Sequence, residues 1–147
     1  MKAEIIYPII STILPLYGDA FVEDIRTKNL DLESFIRFIV YDRFQFIKAN
    51  KEIVMIILNE LVLDKNAFDK LVEILDQRFD IIRGNFEKMC QANPNVREEV
   101  SYNSIVRMLV GQLVIYFLQR FHFSMKVEEE AKELEAISKN IIHAILK

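Results

Sequence analysis

The sequence predicts an all-α fold: a bundle of about six helices forming one domain over residues 1–147. Three observations predict it. Turn-forming residues are scarce, with three glycines and three prolines in 147 residues. Strands and hairpins need far more punctuation than that, and long helices need little. Apolar residues recur at helical spacing over long stretches, as in Leu32, Phe35, Ile36, Ile39 and Val40. Hydrophobic residues make up 52% of the chain and charged residues 28%, the charges interspersed throughout. Disorder needs the opposite balance. A chain of this length buries about two-thirds of its unfolded surface, enough to hold a core without disulfide or structural metal. So apolar a composition also implies a further buried surface, an internal pocket or an oligomer interface.

The elements follow in order. Glu4 to about Ala20 is apolar but interrupted by Pro8 and Pro15, so it reads as one short or broken helix ending near Gly18. Asp31 caps a helix from Leu32 to Ala49, with Ser34 three residues on. Phe38, Phe44 and Phe46 fall outside its main stripe, and a helix apolar nearly all round is buried on several sides. Asn50 breaks the pattern. Lys51 to Leu63 is a short, strongly apolar helix stopped around Asp64. Asn66 caps a long helix to about Gln91, striped by Phe68, Leu71, Leu75, Phe79, Ile82 and Phe86. Gly84 inside it costs about 1 kcal/mol against alanine. Ala92-Asn93-Pro94-Asn95 is the clearest turn signal. A further helix runs from about Val100 to Phe123, a turn covers Ser124 to Lys126, and a last helix covers Val127 to Leu146. That last helix carries Ala131, Leu134, Ile137, Ile141, Ile142 and Ile145 on one side. Glu128, Glu129, Lys132, Glu133, Glu135 and Lys139 lie on the other.

Several function classes are disfavoured. The net charge is −3 and no dense Lys/Arg run occurs, which argues against nucleic-acid binding by these residues themselves. The single cysteine, Cys90, cannot form an intramolecular disulfide and fits a reducing compartment. The apolar stretch Ile105 to Leu118 contains Arg107 and Gln112 and reads as too short to span a bilayer. No signal-peptide pattern opens the chain, because Pro8, Pro15 and Asp19 interrupt it. The expected location is the cytoplasm, with no membrane partner. His122 and His143 lack the His-x-x-x-His and Glu-x-x-His spacings that gather a metal on helices. Cys90 has no histidine near it in sequence, so a buried structural thiol is its expected role. Neither a glycine-rich phosphate loop nor a serine nucleophile elbow occurs. No metal, no cofactor and no enzymatic activity are expected.

The aromatic content is the informative excess: eleven phenylalanines and five tyrosines. Ligand pockets between helices are lined by such residues with a few polar groups to orient the ligand. Candidate lining residues are Phe38, Tyr41, Asp42, Gln45, Asn59 and Phe79, with Tyr102, Met108, Gln112 and Tyr116 on the penultimate helix. The alternative is that the polar members are surface positions or satisfied core groups. The last two helices suit another task. Leu109, Leu113, Phe117 and Arg120 share one stripe, and Leu134, Ser138, Ile141 and Ile145 another. Two such helices from each of two chains would build a four-helix interface with twofold symmetry. The alternative is that both stripes pack only on their own core.

Three stretches carry a family resemblance. FIRFIVYDRFQFIKANKEIVMIILNELVLD, Phe35 to Asp64, places a helix before an Asn-type turn and a second helix ending in Leu58-Asn59-Glu60-Leu61. NPNVREEVSYNSIVRMLVGQLVIYFLQR, Asn93 to Arg120, is a loop and then a helix with Gly111 in its middle. Val127 to Lys147 is an acidic-to-apolar tail. Their order resembles the C-terminal effector-binding and dimerisation domain of TetR-type transcriptional regulators, over nearly the whole chain beyond the first 30 residues.

The resemblance implies a homodimer, built through the last two helices. It implies a cavity for a small apolar or amphipathic effector among the helices at Phe35–Ala49, Lys51–Leu63, Asn66–Gln91 and Val100–Phe123. Residues 1–30 would then be a linker region, with Ala3–Tyr17 moving as ligand binds. The family's helix-turn-helix is absent from these residues, so DNA contact would come only through a segment outside them. Glu4-Ile5-Ile6 beginning in mid-pattern points to a piece of a regulator, a repressor by expectation; a natural stand-alone domain is the other reading. The rival function is a stand-alone helical dimerisation module that binds neither ligand nor DNA.

Overall fold

The computed structural model describes residues 23–24 and 30–147, and of residues 67–68 and 70–79 the backbone alone. The expected linker region, including Ala3–Tyr17, therefore lies outside the described residues. Within them the fold is all-α, with five helices and no strand: α1 (Leu32–Ala49), α2 (Lys51–Leu63), α3 (Lys65–Ala92), α4 (Tyr102–Phe117) and α5 (Glu130–Ile145). A π-helical turn, Leu118–His122, continues α4.

Local chemistry sets most of the boundaries. The Asp31 carboxylate accepts from the Ser34 amide at 2.7 Å and starts α1. The Asn50 carbonyl accepts from the Val54 amide and opens α2. Asp64 serves both sides of the next break. Its amide donates to the Glu60 carbonyl, and its carboxylate accepts from the Asn66 amide at 2.9 Å. The cap of α3 is thus Asp64, where the sequence pointed to Asn66. Ser101 sits in extended backbone (φ −120°, ψ 146°) and its hydroxyl accepts from the Ser104 amide. That cap starts α4 two residues later than the pattern suggested. The last helix begins at Glu130, not Val127, and residues 123–129 are non-helical.

The described residues group into two compact units, a finer division than the single domain read from length. One holds residues 50–85 and the other holds Leu30–Ala49 with Phe86–Lys147. In the first, Glu60 is buried while Val62 and Leu63 at the end of α2 are exposed.

The second unit has its core between α1, α4 and α5. Phe35, Val40, Phe44, Phe117, Ile141 and Ile145 are fully buried there. Phe44 of α1 stacks on Tyr116 of α4 with ring centroids 5.0 Å apart, and Phe117 meets Phe121 at 5.4 Å. Burial of such rings dominates core energetics. The end of α3 joins this unit through Phe86, tilted against Tyr102 at 5.9 Å. The Asn93–Val100 connection is clipped by the C-terminal residues. The Arg97 amide donates to the Ile145 carbonyl, and the Lys147 amide to that of Asn95, both at 2.8 Å.

The apolar run around α4 is longer than the sequence pattern indicated. With the π-helical turn it is one helical stretch of 21 residues, Tyr102–His122, long and apolar enough by length and composition to cross a membrane. That corrects the expectation based on Ile105 to Leu118 alone. At about 1.5 Å per residue it matches the roughly 30 Å of a hydrocarbon core.

Candidate functional site

Two features of the second unit carry polar chemistry. The first is a charge cluster on Glu130, the opening residue of α5. Its carboxylate accepts from Lys48 Nζ at 3.0 and 3.2 Å, from Gln45 Nε2 at 3.0 Å and from Arg120 Nη1 at 2.5 Å. One carboxylate therefore ties α1, the π-helical turn and the start of α5 together. Burial pushes the Glu130 carboxyl up, but the hydrogen bonds from Gln45, Lys48 and Arg120 outweigh it and bring it down to about 2. Arg120 is raised above its ordinary value, by Glu130 first, against burial, with Tyr116 adding to it. The Tyr116 hydroxyl is buried and, among the described residues, has no hydrogen-bond partner.

Tertiary ties of this kind explain why α5 starts late. Glu130 is drawn to cations on two other elements, and the residues before it must span the distance from the π-helical turn. The chain turns at Ser124, whose φ of 50° is in the left-handed region. The amides of Phe123 and Met125 donate back to the Leu118 and Gln119 carbonyls, each at 2.8 Å. A second salt bridge, Arg37 to Glu135 at 3.0 Å, fixes α1 to α5 one turn further along.

The second feature is an open groove of about 470 Å³ between α4 and α5. Met108, Gly111, Ile115 and Tyr116 line it from α4, and Ala136 and Ile137 from α5. Its polar rim is Arg107, Gln112, Gln119, Glu133 and Asn140. The Asn140 amide donates to the Gln112 carbonyl oxygen at 3.1 Å across it. Ile115 in the groove and Val110 beside it stay 55% and 51% exposed.

The structure distributes the expected pocket residues unevenly. Met108, Gln112 and Tyr116 come together along the groove. Gln45 is committed to Glu130, and Asp42 pairs with Arg43 at 2.6 Å. Phe38 is half-buried, and Tyr102 is half-buried against Phe86. Tyr41 is 59% exposed and Asn59 is exposed, so neither lines an enclosed space. Tyr41 falls off the buried Leu32–Phe35–Ile36–Ile39–Val40–Phe44 face of α1, and on α2 it is Glu60, next to Asn59, that turns inward. The side chain of Phe79 lies outside the described residues.

The expected dimer stripe needs a correction. Leu113, Phe117, Leu134, Ser138, Ile141 and Ile145 are buried inside a single chain, packing α4 and α5 on each other and on α1. Leu109 is half-buried, and Arg120 is held by Glu130. A helix with one strong apolar stripe presents that stripe to its nearest neighbour, and here the neighbour belongs to the same protomer. What α4 and α5 leave for another molecule is the groove face. Pattern reading missed Gly111, Ile115, Glu133, Ala136 and Asn140 there. The available signal was Gly111 in mid-helix.

Elsewhere the chemistry is sparse. Burial, then the Glu87 charge, pushes the Cys90 thiol up, away from the reactive thiolate. Among the described residues no three His, Cys, Asp or Glu side chains converge as a metal site. Compared with known proteins, the chain matches no family model, no curated protein and no solved structure.

Proposed function

We propose that this chain is the dimerising, effector-sensing domain of a TetR-type transcriptional regulator, a cytoplasmic homodimer that represses through a helix-turn-helix outside these residues. The observation that carries the reading is the outer face of α4 and α5. Two helices already packed on each other leave an open apolar groove with exposed Ile115 in it and exposed Val110 beside it. Such a surface supports burial against another protein. The helix order from α1 to α5 adds to it.

A small apolar or amphipathic effector would act by binding one arrangement of the dimer better than another, since equal affinity for both shifts nothing. A coupling of about 1–3 kcal/mol suffices to move DNA-reading heads off half-sites about 34 Å apart. Thermal-shift screening of the chain against apolar and amphipathic compounds tests the sensing role. Saturation at about a hundred times Kd stabilises a protein by about 2.7 kcal/mol. Stabilisation by one chemical class is expected.

A flat response to every class would leave the second reading, a dimerisation module without ligand. The commitment of Asp42 and Gln45 to ion pairs and hydrogen bonds, and the exposure of Tyr41, favour that alternative.

A further inference from the structure

We infer that the α4–α5 groove is the seat of a short, extended, apolar peptide with free termini, its carboxylate on Arg107 and its amino group on Glu133. Such a peptide is the effector of the sensing role proposed above, on which this assignment rests.

The groove carries unlike charges at its two ends. The Gln112–Asn140 and Arg120–Glu130 contacts make α4 and α5 antiparallel. Asn140 is level with Gln112, so Glu133, about two turns nearer the start of α5, is level with Gln119. Arg107 stands at the opposite end, about 18 Å from that level at 1.5 Å per residue. Arg107 is exposed and, among the described residues, forms neither an ion pair nor a hydrogen bond. The Glu133 carboxylate meets no cation among them and accepts only a 3.2 Å bond from the Glu128 amide. A ligand with a carboxylate at one end and an ammonium at the other satisfies both. A fatty acid satisfies Arg107 but lays its tail against Glu133, and a cationic amphiphile fails at Arg107 in the same way.

The separation of the charges sets the length of the ligand. An extended chain covers about 3.3–3.6 Å per residue, so about five residues reach from Glu133 to Arg107. The middle of the groove suits a peptide backbone. Asn140 donates to the Gln112 oxygen at 3.1 Å, which leaves the Gln112 amide nitrogen and the Asn140 oxygen without a partner among the described residues. Those are a donor and an acceptor for a backbone C=O and N–H. Alternate side chains of an extended chain point one way, and beneath them Met108, Ile115, Ala136 and Ile137 form an apolar floor. At about 470 Å³ the groove is in the size range of small-ligand sites. It takes the inward side of the peptide and leaves the outward side chains in water. The proposed dimer draws on the same face, so peptide and partner exclude one another there, and binding favours the monomer.

Isothermal titration calorimetry on the whole chain tests this, with Leu-Ser-Leu-Ser-Leu as the probe, because its leucines share one side when extended. The peptide is compared free, acetylated, amidated and blocked at both ends. The free form is expected to bind with a Kd below about 1 mM. Blocking either end is expected to weaken binding about threefold to fivefold, the scale of an exposed ion pair, and blocking both about tenfold or more. Arg107→Gln is expected to lose the response to amidation alone, and Glu133→Gln the response to acetylation alone, each with the helical circular-dichroism signal unchanged. Leu-Ser-Leu spans about 10 Å and is expected to lose the response to at least one block, because it cannot reach both ends. Sedimentation velocity is expected to show monomer replacing dimer as the free five-residue peptide is added.

No heat from any form would overturn the inference. Stabilisation of the same chain by another apolar or amphipathic compound would then leave the sensing role standing, and a flat response there would remove both. Binding that is indifferent to the blocks, or whose response to them survives both substitutions, would put the peptide elsewhere and overturn the groove assignment. A dimer that persists under saturating peptide would overturn the mutual exclusion.

Discussion

Replacing Glu130 with glutamine removes the charge that joins α1, the π-helical turn and α5 while nearly keeping the side-chain shape. The folded chain brings this carboxyl from its ordinary 4.5 down to about 2. A tenfold change in proton affinity corresponds to about 1.4 kcal/mol, so the ceiling on its contribution is about 3 kcal/mol. Glu130 is 24% exposed, and Lys48 and Arg120 are 36% and 35% exposed, so solvent screens the cluster. About 2 kcal/mol is the expected loss near neutral pH. Because folding lowers this pKa, the contribution is complete above about pH 4.5 and disappears as the pH falls to about 2. Urea unfolding of the parent chain and of Glu130→Gln at pH 7 and at pH 2.5 measures both values. The gap is expected to be about 2 kcal/mol at pH 7 and well under half of that at pH 2.5. High salt narrows the neutral-pH gap, since the cluster is partly open to solvent. A gap of equal size at both pH values would show that glutamine disturbs packing rather than charge, and would refute the reasoning. A gap below about 0.5 kcal/mol at pH 7, the scale of an ordinary exposed pair, would refute it as well.

Two further perturbations test the fold around the groove. Phe117→Ala empties a fully buried site against Phe121 and is expected to cost about 3–5 kcal/mol by denaturant unfolding; a loss under about 1 kcal/mol would mean the α1–α4–α5 core is not packed as described. Ser101→Ala removes the side-chain cap of α4 and is expected to cost about 1 kcal/mol, with faster hydrogen exchange confined to the first turn after Ser101.

Most helix limits were legible because the groups that set them are local. The chemistry of Asp31, Asn50 and Asp64 acts within four residues, and the limits of α1 and α2 follow from it. Where limits moved, the cause was either a competing cap or a distant partner. Asp64 and Ser101 capped α3 and α4 through their own side chains. Glu130 was drawn to Lys48 and Gln45, more than eighty residues away in sequence, and no periodicity records that. The groove was half legible. Met108, Gln112 and Tyr116 lie four residues apart and had to share a face of α4, but their partners on α5, Glu133, Ala136 and Asn140, could not be read from α4.

The sequence by itself determined that the chain is helical and where most of the helices begin and end. Those properties follow from backbone propensity, caps and the 3.6-residue period, all short-range. Only the tertiary structure decided against what each apolar stripe packs. Leu113, Phe117, Ile141 and Ile145 are equally suited to a partner chain or to one another, because hydrophobic burial carries no direction. Once α1, α4 and α5 had closed on those residues, the face left over was the one with Gly111 and Ala136 at its centre and Arg107 and Glu133 at its ends.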